Sequence, residues 1–165
     1  MAAILSEREE VMLALIGQQT HQWYNSGDSG PVIQAAAAKG YSEEDVQLAL
    51  DLLERKGYVK ISFRSLLQLT ADGYYTYAGA NVPDFADLLR RVELEICKNQ
   101  HTNNIDVTRT LQADPVAINY IFDMLCQNGT IDNGNHGEPL AGGGPHWYIM
   151  TLSPEFRLRC REILP

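Results

Sequence analysis

Four cations fall close together in the chain: Arg55, Lys56, Lys60 and Arg64. The first two end an amphipathic segment, and the other two sit in the apolar run after it. Side chains of this type at this spacing make a small basic spot of the kind that binds phosphate or DNA. The competing reading gives each cation a structural task. Arg55 and Lys56 then complement the negative end of a helix dipole, while Lys60 and Arg64 guard an exposed strand edge.

Other residues of reactive type are scattered. His136 and His146 flank the stretch "GNHGEPLAGGGP", and Cys126 lies upstream. A zinc site needs a fourth ligand and close spacing, and neither is present. The glycine-rich stretch lacks the Gly-Lys-Ser/Thr ending of a phosphate loop, so it reads as a turn at the tip of a hairpin. His21 and His101 read as solvated residues near helix ends. Cys97 and Cys126 fall within helical segments and read as small packed hydrophobes. No nucleophile elbow, paired-histidine helix or dinucleotide fingerprint occurs. The chain is therefore expected to be no enzyme, with no catalytic residue, no cofactor and no metal.

The totals set wider bounds. The 165 residues suffice for one ordinary domain or two small ones, and 45% apolar content supports a packed core. A net charge of −8 works against non-specific attraction to nucleic acid or anionic membrane. No apolar run reaches membrane-spanning length, and the N-terminal stretch has no basic region of the secretory type. Three widely separated cysteines with no C-x-x-C pair fit a reducing cytoplasm better than secretion.

The elements that position these residues come twice. Residues 42–57, "SEEDVQLALDLLERKG", begin with a Ser42/Asp45 capping pair. They carry Val46, Ala49, Leu50 and Leu53 at i, i+3, i+4, i+7 and end on Gly57. Displaced by 72 residues, the cap becomes Asp114 with Pro115 behind it. The stripe becomes Ile118, Ile121, Phe122 and Leu125, and the stop becomes Gly129. Each copy is preceded by two helical segments. In the first copy these are 6–24 and 31–39, separated by a Gly/Ser/Asp loop. Each copy is followed by a hairpin: 58–63 with 66–70, and 130–132 with 146–151. A short helix comes after each hairpin. The stretch "AGANVPD" reads as the boundary, giving domains 1–80 and 81–165. Tyr58, Phe63, Phe122 and Phe156 read as core, and of Tyr74, Tyr75 and Tyr77 one remains outside.

Helices followed by a two-stranded hairpin, twice over, give a mainly α fold with small β-hairpins (α+β). The "LERKGYV" junction and "LTADG" hairpin exit, with their counterparts "LCQNGTI" and "MTLSPEF", carry a resemblance to tandem winged-helix (winged helix-turn-helix) proteins over nearly the whole chain. Size, tandem layout and acidity are also similar to the paired winged helices that clasp kleisin subunits of chromosome-organising complexes. In such folds the third helix usually enters the major groove and the wing touches the backbone. Here that helix opens with Glu43, Glu44 and Asp45 and carries Asp51 and Glu54 farther on. A carboxylate about 5 Å from a phosphate costs about 0.8 kcal/mol even in water. The second such helix has no Lys or Arg, and its Asn119 and Gln127 read as solvated. The resemblance thus implies a cytoplasmic adaptor or regulatory protein that binds a protein partner with a basic segment, within a DNA- or transcription-associated complex. Trp23, Tyr24, Tyr77, Trp147 and Tyr148 are the interface candidates. The alternative is a dimeric DNA-binding transcriptional regulator that contacts phosphate through Arg55, Lys56, Lys60 and Arg64.

Overall fold

A computed structural model describes residues 4–19, 27–63, 65–100, 102–135 and 147–164. The chain is mainly helical with small antiparallel hairpins and divides into two compact units, Met1–Pro83 and Asp84–Pro165.

The first unit opens with α1 (Glu7–Gln19), whose Met12, Leu13, Leu15 and Ile16 are buried. The two-residue strand β1 (Gly27–Asp28) leads into α2 (Ser29–Ala38), which Asp28 caps by accepting from Gly30 N at 3.0 Å. Then come α3 (Glu43–Arg55), β2 (Val59–Ser62), β3 (Leu66–Leu69) and α4 (Ala71–Asn81). The sheet order is β1-β3-β2, so β3 is the central strand and β2 lies on an edge. Helix α1 packs against α2, α3 and α4. The sequence shows no sign of β1, because two residues are too few to carry an alternation.

The second unit runs α5 (Phe85–Lys98), α6 (Asn104–Leu111), α7 (Pro115–Gln127), β4 (Ile131–Asn135), β5 (Trp147–Leu152) and α8 (Pro154–Ile163). Asn103 forms an isolated bridge with Tyr148 and caps α6. Asp28 plays the same double part in the first unit, capping α2 and pairing with Leu66.

The 72-residue repeat holds at the level of individual hydrogen bonds. Gly57 (φ 77°) and Gly129 (φ 72°) both end their helices in left-handed backbone. The next amides, Tyr58 N and Thr130 N, donate to Leu53 O at 2.9 Å and Leu125 O at 2.8 Å. This is the helix stop in which a glycine spares the Cβ penalty. The turn that leads into each of these helices, from α2 to α3 and from α6 to α7, repeats as well. Gly40 N donates to Ala37 O, and Gln112 N to Arg109 O. There the first unit uses glycine at φ 89°, while the second holds Gln112 at φ 49°.

The hairpin exits match too. Thr70 N donates to Tyr58 O at 3.0 Å, and Ser153 N to Thr130 O at 2.9 Å. Thr70 and Ser153 then cap α4 and α8 through their hydroxyls. Gly73 passes so close to the Tyr58 carbonyl that a Cβ would collide with it. That close approach accounts for the glycine in "LTADG".

Cys97 and Cys160 depart from the expectation. They are joined in a disulfide that ties α5 to α8, and Cys126 alone is free. The expectation of a reducing compartment rested on three widely separated cysteines without a C-x-x-C pair, and the bridge between two of them weakens it. Beside the disulfide, Arg159 reaches Glu93 at 2.6 Å and stacks over the Phe156 ring at 4.8 Å. Among the described residues no helix is long and apolar enough to cross a membrane.

Candidate interaction surface

Helix α3 is positioned by its two ends. At its start, Ser42 accepts from Asp45 N at 3.2 Å, and the Asp45 carboxylate accepts from the Ser42 hydroxyl at 2.7 Å and its amide at 3.1 Å. These donors, with Arg8 at 2.9 Å, hold the Asp45 carboxyl below its ordinary pKa. At the other end, Glu54 Oε1 accepts from Ile61 N at 3.1 Å and so satisfies a donor on the edge strand β2. Val46, Ala49, Leu50 and Leu53 are buried. The opposite face is exposed and carries Glu44, Gln47 and Leu48, with Asp51 half-buried beside them.

Among the described cations of the cluster, Lys56 stands apart from Arg55 and Lys60. Lys56 turns inward, and its Nζ lies 2.6 Å from Glu9 Oε1 and 3.0 Å from Ile4 O. Glu9 is only 2% exposed. Burial pushes its pKa up, but the Lys56 ammonium and the Ser6 amide and hydroxyl outweigh that and leave it below the usual range. Lys56 is therefore a structural cation, not a free phosphate contact. Arg55 and Lys60 are exposed and have no carboxylate partner among the described residues. Arg64 lies outside the described residues.

Between Lys60 and Arg64 stands Phe63, which the sequence pattern placed in the core. It is 90% exposed at the tip of the β2–β3 hairpin, with φ 49°. Alternation along a strand predicts facing only while the strand lasts, and β2 ends at Ser62. A bulky non-glycine residue in left-handed backbone is sterically unfavourable, and here no core packing offsets it. Tyr58, Phe122 and Phe156 are buried as expected.

The second unit treats its corresponding helix differently. Residues 116–122 of α7 are all buried, so both the stripe and its opposite side are covered. Val116 and Tyr120 occupy the places of Glu44 and Leu48. Burial, with Asp123 nearby, pushes the Tyr120 hydroxyl well above its ordinary pKa. Asn119 is not solvated as expected. At 3% exposure, it accepts from Asn104 Nδ2 at 2.6 Å, while Asn104 Oδ1 accepts from Trp147 N at 3.0 Å. Two buried amides thus lock α6, α7 and β5 together. The sequence did carry a signal of this, since α7 is strongly apolar with no Lys or Arg, and a helix of that composition is largely buried.

Of the aromatic interface candidates, Tyr77 is in the core, its ring pressed against Gly17. Trp147 and Tyr148 are half-buried in β5. Trp23 and Tyr24 lie outside the described residues, as do His21, His101, His136, His146 and nearly all of the glycine-rich stretch. Among the described residues no group of three or more His, Cys, Asp or Glu side chains is arranged to hold a metal ion.

No protein-family model, curated protein or solved structure matches the chain.

Proposed function

We propose that the chain is a non-enzymatic adaptor or regulatory protein of two winged-helix domains in tandem, working by protein contacts within a DNA- or transcription-associated complex. The fold reading rests on the first unit's element order, α1-β1-α2-α3-β2-β3-α4, and its β1-β3-β2 sheet. The second unit follows that order, with the Asn103–Tyr148 bridge in place of the first strand.

One observation carries the functional reading. The only helix of the α3/α7 pair with an exposed outer face presents Glu44 and the half-buried Asp51 to either side of Leu48, with Arg55 one turn beyond Asp51. That face repels phosphate and suits a basic, partly apolar protein segment. Among the described residues the free cations nearby are Arg55 and Lys60, against the ~6 to 10 phosphate contacts of a firm DNA complex. Phe63 adds an aromatic anchor at the wing tip, the residue class that dominates protein interfaces.

Photo-crosslinking tests this reading. A benzophenone amino acid at Leu48 or at Phe63, in the full chain inside cells, is expected to yield protein adducts. The same group at exposed Tyr75 serves as the control. Nucleic-acid adducts at Leu48 and Phe63 would overturn the reading in favour of the dimeric DNA-binding regulator.

A further inference from the structure

Helices α1 and α4 touch at one end and part at the other. Where they touch, the Tyr77 ring lies so close to Gly17 that a Cβ there would collide with it. Toward the start of α1 and the end of α4 the side chains lining the gap include Ala14 and Ala80, which are too short to fill it. The gap is an open cavity of about 460 Å³, within the size range of small-molecule sites. Leu5, Val11 and Leu13 make its walls largely apolar.

The polar groups of this cavity are chiefly acceptors. Glu10 lines it, is exposed, and has no cation partner among the described residues. The other charged residues of the two helices are Glu7, Arg8, Glu9 and Asp72. Arg8 is held by Asp45 at 2.9 Å and Glu9 by Lys56 at 2.6 Å, so the charge left on α1 and α4 is negative. Asn81, the last residue of α4, donates from Nδ2 to Tyr77 O at 2.9 Å, which leaves its amide oxygen to accept. The Thr76 hydroxyl can accept or donate. Helix α4 has no basic residue in its last turn, so the negative end of its dipole is uncomplemented beside Asn81. A carboxylate, an amide oxygen and a helix C-terminus all attract a cation.

We propose that this cavity binds a small organic cation, a primary ammonium group on an apolar body. The ammonium sits between the Glu10 carboxylate and the end of α4, where its three N–H donors meet acceptors. The apolar body lies along the groove over Ala14 and Ala80, and its burial removes apolar area from water. An anion of the same shape is repelled by Glu10, and a neutral alcohol keeps only the apolar contribution. The site uses neither the outer face of α3 nor Phe63, so it stands or falls apart from the adaptor reading.

An NMR chemical-shift titration of the full chain at neutral pH, with hexylammonium, hexanol and hexanoate as probes, tests this. The probes share one alkyl chain and differ in head group. Hexylammonium should bind and move amide signals of α1 and α4. Hexanol should bind about tenfold more weakly, and hexanoate more weakly still. Glu10→Gln, which keeps the volume, should lower hexylammonium affinity about tenfold, toward that of hexanol. Asp72→Asn removes the same charge near the other end of α4 and should leave the affinity unchanged. Ala80→Leu should fill the groove and abolish binding of hexylammonium and hexanol alike. All three positions are exposed, and thermal melts verify that the variants fold. No binding of hexylammonium, or hexanol or hexanoate binding as well as it does, would overturn the proposal. So would wild-type affinity in Glu10→Gln or in folded Ala80→Leu, or equal losses in Glu10→Gln and Asp72→Asn. Glu10→Gln alters no packing and keeps the test decisive even where Ala80→Leu does not fold.

Discussion

Lys56 and Glu9 form a buried pair in which the lysine closes the end of α3 onto the start of α1, at 2.6 Å. The two partners are unequal: the lysine side chain is 27% exposed and the glutamate side chain 3%. Lys56→Met leaves a charge buried with only the Ser6 donors, and should cost about 3 kcal/mol in urea unfolding. Glu9→Gln frees a lysine that can reach water, and should cost about 1 kcal/mol. Equal losses, or none for Lys56→Met, would show that Lys56 is not a structural cation.

The same carboxylate, with Asp45, sets an acid limit on stability. Both folded-state pKa values lie below the ordinary carboxylate range. Their stabilisation is complete above that range, about pH 4, and is lost as pH falls through the depressed folded values. The urea midpoint should therefore hold from neutral pH down to about 5 and decline below about 4. The decline should be shallower in Glu9→Gln.

Gln112 offers a direct test of the repeat. It occupies the turn position that Gly40 fills in the first unit, and it bears a side chain at φ 49°. Gln112→Gly removes the Cβ penalty at some cost in backbone entropy, for a net gain of about 0.5–1 kcal/mol. Gly40→Gln, at φ 89°, should lower stability by about 1 kcal/mol or more. Thermal melts of both variants decide the point.

The Cys97–Cys160 disulfide spans 63 residues. By loop entropy alone its loss should cost about 4 kcal/mol, borne by the second unit. Reductant, or Cys97→Ala with Cys160→Ala, should lower the denaturation midpoint. Alkylation of the unfolded chain should reach Cys126 alone before reduction and all three cysteines afterwards.

What the sequence disclosed was local. Caps, stripes and stopping glycines mark α3 and α7 because each acts within a few residues of its helix, and the 72-residue offset follows from them. The disulfide joins two helices whose meeting no local pattern encodes. Strand β1 is too short to show a period. Phe63 stands where a strand's alternation gives way to a turn, and the period there points the wrong way. Lys56 looked like a member of a basic cluster because its partner, Glu9, lies far back in the chain. The buried α7 was legible in its composition, which has no Lys or Arg and few polar side chains beyond Asn119, Asp123 and Gln127.

Fluorescence anisotropy of two DNA duplexes, one enriched from a random pool by the chain and one of unrelated sequence, each titrated with the full chain at low salt, tests the central claim most directly. The account predicts weak binding without sequence preference, little changed by Lys60→Glu. Tight, sequence-selective binding that Lys60→Glu weakens and that falls steeply with added salt would contradict it.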